Sequence, residues 1–127
     1  MSHVREMSKR GDLRGVRVLI VEDQWHVAIA LRSLLEAEGM EVSGPAGKIA
    51  DAHQLADEHK PELAVVDINL KGEMAYSLID DLHDRGLRIV VISGYATPLR
   101  LAAKVDAVLQ KPFNAPELLA SLRRALL

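Results

Sequence analysis

Three carboxylates, one hydroxyl and one amine stand at matching places in this chain. VLIV at 18–21 runs into Glu22 and Asp23, LAVV at 63–66 into Asp67, VVI at 90–92 into Ser93, and AVLQ at 107–110 into Lys111. Each polar group closes a short aliphatic run of strand length, the place where a buried strand leaves the core. A carboxylate is costly to bury without a partner, so an aspartate ending a run as apolar as LAVV needs something to hold it. If these ends meet, the carboxylates repel one another unless they take up protons or gain a cation. A divalent cation that prefers hard oxygen ligands removes the conflict. Mg2+ binds through a few carboxylates and keeps waters whose places phosphate oxygens can take. Lys111 and Ser93 then offer a charge and a hydrogen-bond donor to the outer oxygens of a phosphoryl group. Asp67, between them, is of the type that can attack phosphorus and form an acyl phosphate.

The elements that would carry these groups alternate. Aliphatic runs occur at VRVLIV (16–21), MEVSG (40–44), LAVVD (63–67), RIVVI (88–92) and AVL within 106–109. Runs apolar on both faces suit strands lying between two helical layers. Val27, Ala28, Leu31, Leu34 and Leu35 make one helical stripe, with Gly39 where a C-terminal stop belongs. Ala75, Leu78, Ile79 and Leu82 repeat the stripe before Gly86, and a weaker one runs through Ile49, Ala52, Leu55 and Ala56. Leu118, Leu119, Leu122, Ala125 and Leu126 form the last, with Asn114 and Glu117 spaced as a capping box. Thr97 and Pro98 read as the N-cap and first residue of a helix of about two turns. Strand and helix thus alternate five times, which predicts an α/β fold, a parallel sheet with helices on both faces. The working residues of such sheets sit at the carboxyl ends of the strands, where the winding reverses.

Glu22–Asp23, Asp67, Ser93, Lys111 and the Lys-Pro-Phe at 111–113, in that order and at those strand ends, resemble the receiver domain of two-component response regulators. The resemblance covers residues 16–127, with residues 1–15 read as a flexible lead-in. It implies a flavodoxin-like (βα)5 fold, doubly wound, with strand order 2-1-3-4-5. It also implies that Asp67 is the phosphoacceptor, that Asp23 and Asp67 hold Mg2+ directly, that Glu22 acts through water, and that the backbone carbonyl of Asn69 completes the set. Ser93 and Lys111 would contact the phosphoryl group, and the proline after such a lysine is often cis. The donor would be a phosphohistidine on a histidine kinase or a histidine phosphotransfer protein. The phosphorylated state would be read by a downstream protein, in a single-domain regulator or a phosphorelay, with homodimer formation as a further option.

Departures from that pattern are local. Many receivers carry an aromatic residue three positions before the lysine, and here the position is Val108. Ser93-Gly94-Tyr95 resembles a minor branch with a Thr/Ser-Gly-Tyr strand end, which makes Ser93, Tyr95 and Val108 the switch candidates and Tyr95 the ring that would move. Only 17 residues separate Ser93 from Lys111, so the fourth helix is expected to be short.

Composition narrows the rest. The 127 residues fit one domain, 49% are apolar and 27% charged, and the net charge of −2 supplies no basic face for nucleic acid. No 18 apolar residues run together, so no membrane-spanning helix is expected. Cysteine is absent, which fits a reducing, cytoplasmic setting. The five histidines show no paired metal spacing, and His26 reads as surface near the rim of the site. Trp25 is expected to pack. GPAGK at 44–48 is not a P-loop, because Ile49 follows the lysine where Ser or Thr is needed. A Mg2+-dependent phosphohydrolase with an aspartate nucleophile is the enzymatic alternative. It would want a second acid two residues after Asp67, where Asn69 stands. A receiver-like module that binds without phosphorylation is the other alternative. Neither is favoured, and no turnover of a separate substrate is expected.

Overall fold

A computed structural model describes residues 12–94 and 99–127. The elements follow one another as β1 (Arg17–Val21), α1 (Trp25–Ala37), β2 (Glu41–Ala46), α2 (Ile49–His59), β3 (Leu63–Asp67), β4 (Asn69–Leu70), β5 (Glu73–Met74), α3 (Tyr76–Asp84), β6 (Arg88–Ser93), α4 (Leu99–Ala102), β7 (Ala107–Gln110) and α5 (Ala115–Ala125). Five of the strands form one parallel sheet in the order β2-β1-β3-β6-β7, which is 2-1-3-4-5 when only its own strands are counted.

The aliphatic runs are explained by this placement. Alternate residues of each strand enter opposite layers. Val18, Ile20, Leu63, Val65, Val90 and Ile92 pack with Leu31 and Leu35 of α1 and Leu118 and Leu122 of α5. Leu19, Val21, Ala64, Val66, Ile89 and Val91 pack with Ala52 and Ala56 of α2, with Leu78, Ile79 and Leu82 of α3, and with Leu101 of α4. Burying one such side chain contributes about 1.5–3 kcal/mol, so a strand that is apolar on both faces is held from both sides.

Helix boundaries follow the punctuation. Gly39 and Gly86 end α1 and α3 with φ of +84° and +86°, a conformation glycine adopts without a steric penalty. Asn114 Oδ1 accepts from Glu117 N at 2.9 Å and Glu117 Oε1 accepts from Asn114 N at 3.0 Å, closing the capping box of α5. Among the described residues the fourth helix spans Leu99–Ala102, four residues. Thr97 and Pro98, assigned to its cap, lie outside the described residues.

Three differences from the expectation concern boundaries and one side chain. The packed body reaches back past Val16, because Leu13 is buried in the core cluster that also holds α1 and α5 residues and Gly15 N donates to Gly39 O. Residues 1–11 lie outside the described residues. The second strand continues past Gly44 to Ala46, and its pairing with β1 carries one extra residue between Ser43 and Ala46. Trp25 is 73% exposed rather than packed. As the first residue of α1 it stands at the sheet's carboxyl edge, past the strands that cover Ala28 and Leu31. Both Gly44–Pro45 and Lys111–Pro112 are cis peptides.

Candidate functional site

The reversal of winding between β1 and β3 puts their carboxyl ends side by side, and this decides where the acids go. Glu22 and Asp23 leave β1 and Asp67 closes β3. One carboxylate oxygen from each lies within 4.8 Å of the others. Glu22 and Asp67 are buried and Asp23 is half-buried. Ser93 closes β6 on the other side of β3 and is buried too. Lys111 follows β7, and its Nζ crosses the end of β6 to donate to Asp67 Oδ2 at 3.0 Å. The same Nζ stands 3.5 Å from Glu22 Oε1, an ion-pair distance without a hydrogen bond.

Backbone donors hold the remaining oxygens. Asn69 N donates to Asp67 Oδ1 at 3.0 Å, and Gln24 N donates to Glu22 Oε2 at 3.2 Å. Asn69 is itself fixed by a hairpin that the strand and helix periodicities do not announce. Strands β4 and β5 pair antiparallel around Lys71 and Gly72, both with positive φ (+52° and +88°), as a two-residue turn of primed type requires. Gly72 N donates to Asn69 Oδ1 at 2.7 Å. The Lys-Gly pair four residues after Asp67 is the signal that could have revealed it.

Electrostatically the site is under-neutralised. Burial raises the Glu22 carboxyl from an ordinary 4.5 to about 7, helped by the neighbouring Asp67 carboxylate, while Gln24 N and the Lys111 charge work the other way. Burial also opposes the Lys111 charge, but the Asp67 hydrogen bond and the Glu22 charge outweigh it and hold the ammonium above its ordinary value. Glu22 Oε1 is buried with no hydrogen-bond partner. An orphaned carboxylate oxygen beside two further acids, with one lysine among three negative groups, fits a hard divalent cation such as Mg2+. The donor set is all oxygen, the kind that selects Mg2+ over softer metals.

The structure thus brings Glu22, Asp23, Asp67, Ser93, Lys111 and Asn69 to one sheet edge. Val108 does not join them. It lies on β7 and is 45% exposed. Tyr95 lies outside the described residues. His26 is exposed and lines an apolar groove of about 620 Å³ between α1 and α5, together with Leu31, Phe113 and Leu118. No described helix is long and apolar enough to cross a membrane.

Comparison with known proteins agrees with this architecture. The sequence profile of the response regulator receiver domain matches residues 18–123. The transcriptional regulatory protein PdtaR of Mycobacterium tuberculosis is 29% identical over 114 residues, covering 86% of this chain and 56% of that protein. The chain spans about half the length of the curated relatives it matches first. Among solved structures, a CheY-like receiver domain from Methanospirillum hungatei superposes with a TM-score of 0.79 at 28% identity, covering 88% of this chain and 94% of that one. The response regulator PhyR from Brucella abortus does so with a TM-score of 0.78 at 26% identity, over 98% of this chain and 54% of that one. With its profile, its strand order and its acidic corner in agreement, the chain belongs to the response regulator receiver domain family of two-component signalling.

Proposed function

We propose that this domain accepts a phosphoryl group from a phosphohistidine onto Asp67 and signals through protein contacts that depend on that modification. The observation that carries the reading is the Asp67 carboxylate, held by Lys111 Nζ and Asn69 N, each at 3.0 Å, beside two other acids. Asp23 and Asp67 would hold Mg2+ directly, Glu22 through water, and the carbonyl of Asn69 would complete the protein's share. When bound, Mg2+ supplies positive charge that offsets the carboxylates and the incoming phosphoryl oxygens.

The chain's own residues account for the rest. A carboxylate oxygen of Asp67 forms a bond to phosphorus as the phosphorus–nitrogen bond of the donor breaks. The electron pair returns to the imidazole nitrogen. Lys111 then pairs with a phosphoryl oxygen instead of the carboxylate. The Ser93 hydroxyl, at the neighbouring strand end, is suited to donate to a second oxygen. Asn69, at the position where a phosphohydrolase would want a second acid, cannot shuttle protons and its side-chain oxygen is engaged by Gly72. This favours a lasting acyl phosphate over turnover of a separate substrate.

The partners this implies are a histidine kinase or a phosphotransfer protein as donor and a downstream protein that distinguishes the two states. The setting is cytoplasmic, and Tyr95 is the switch residue in place of an aromatic at position 108. Incubation with acetyl phosphate and Mg2+, followed by intact-mass measurement, tests the core of the reading. One phosphate should be gained, and none in Asp67→Ala. A wild-type protein that gains none despite Mg2+ would make it a phosphorylation-independent binding module. Steady hydrolysis of unrelated phosphate esters would favour the enzymatic alternative.

A further inference from the structure

The second strand is longer than its hydrophobic run requires, and its extra length ends at the acidic corner. Between β1 and β2 the register advances two residues on one strand and three on the other, from Leu19↔Ser43 to Val21↔Ala46. The excess residue is taken up at Gly44–Pro45. Gly44 has φ +94°, and a Cβ there would lie 2.6 Å from Ile20 O, so only glycine fits. Bulges of this kind bend a strand and re-aim its continuation. Here the continuation is Ala46, whose carbonyl accepts from Glu22 N at 2.9 Å, and then Gly47, where a Cβ would sit 3.7 Å from Asp23 Cα.

One side chain fastens the bulge. Arg32, on α1, donates from Nη1 to Gly44 O at 2.5 Å, and its Nε is held by Glu36 Oε2 at 3.2 Å, one turn further along the same helix. Since α1 starts two residues after Asp23, these contacts close a ring. The acidic pair leads into α1, Arg32 returns from α1 to the bulge, and the bulge returns through Ala46 to the amide of Glu22. A charged donor on a carbonyl is roughly twice as strong as a neutral hydrogen bond, which suits a clamp on a backbone with no regular ladder of its own.

We propose that Arg32 is a positioning residue for the Glu22–Asp23 pair, setting the geometry of the acidic corner by holding the Gly44 bulge of β2. The proposal rests on the cation-site reading only for its metal consequence. Release of the clamp lets the extra residue slip, and the first bond to feel it is Glu22 N to Ala46 O. The acids then lose their fixed spacing, and the cation has to order them as it binds. Outer-shell partners that touch a ligand directly are worth roughly 10–100-fold in metal affinity, and a clamp acting through one further bond should fall at or below the lower end.

Amide hydrogen exchange and Mg2+ titration by two-dimensional NMR, on wild type, Arg32→Ala and Arg32→Lys, test this. In Arg32→Ala the Glu22 amide should exchange about 10-fold faster, with the amides of Val90–Ile92 unchanged. The Mg2+ midpoint read at Asp23 and Gly47 should rise roughly 5-fold. Arg32→Lys, which keeps a charged donor, should recover most of both effects. Unchanged exchange at Glu22 together with an unchanged midpoint would overturn the proposal. So would a general loss of protection, which would make Arg32 an ordinary stabilising contact. If Arg32→Ala does not fold, Arg32→Met decides, since it keeps an aliphatic stem and removes the donor to Gly44 O; faster exchange at Glu22 supports the clamp and unchanged exchange removes it. A wild-type protein whose amides do not respond to Mg2+ at all sinks the cation reading instead, while the exchange of Glu22 still judges the clamp.

Discussion

Glu22 carries the sharpest electrostatic consequence of the site. Its carboxyl sits at about 7 in the fold against an ordinary 4.5. The folded chain therefore binds that proton more tightly than the unfolded one. Stability from this group is fullest below the ordinary value and declines as pH rises through the window from 4.5 to about 7. In chelator, denaturant unfolding should show the wild type losing on the order of 1–3 kcal/mol more than Glu22→Gln between about pH 5 and pH 8. Saturating Mg2+ should erase most of that difference, because a cation favours the ionised form. Lys111 bears the complementary role. Lys111→Met removes the donor that meets Asp67 at 3.0 Å and is expected to slow acetyl-phosphate labelling by about 100-fold or more, followed by intact mass over time. These side chains were legible in the sequence because each closes an aliphatic run. The unpartnered oxygen of Glu22 was not, since orphaning depends on distances that no spacing encodes.

The elements show where local signals suffice and where they do not. The Asn114–Glu117 box announced α5 in the sequence and is present with both of its bonds. Asn114→Ala should cost about 1 kcal/mol of unfolding free energy, measured by denaturant titration, and leave acetyl-phosphate labelling as in the wild type. Gly39 and Gly86 marked helix ends equally well. The β4–β5 hairpin and the far half of β2 were hidden for different reasons. The hairpin's strands are two residues each, too short to show a period, and its turn is fixed by the local bond from Gly72 N to Asn69 Oδ1, whereas the far half of β2 is held from another element by Arg32 Nη1 on Gly44 O. Gly-Pro in a run reads as its end, yet here the strand passes through it. Gly72→Ala, forced to φ +88°, should destabilise by about 1–2 kcal/mol in thermal unfolding and widen the amide lines of residues 69–74.

At the scale of the molecule the sheet divides the core into two layers that share strands but few side chains. Ile20 packs in the layer of α1 and α5, and Ile79 in the layer of α2 and α3. Ile20→Val and Ile79→Val should each cost about 0.5–1.5 kcal/mol, and the double variant should equal their sum within about 0.5 kcal/mol by urea unfolding. The alternation of five strands and helices made this architecture the most legible feature of all, since a parallel sheet covered on both sides is what runs apolar on both faces demand. Its start was less legible because Leu13 alone, in a polar stretch, carries no period, yet it is buried in the finished fold.

Lys111 and Asp67 stand at the ends of strands that do not touch. In the order β3-β6-β7, the lysine spans the end of an intervening strand to reach the carboxylate. That makes the pair a drawstring, stretched from the middle of the sheet to its rim. Only four residues long, the rim strand pairs on one side alone among the described residues, and Phe113 just past it lines the groove against α1. Whatever alters charge on the aspartate would therefore pull directly on an edge strand and on the surface next to it.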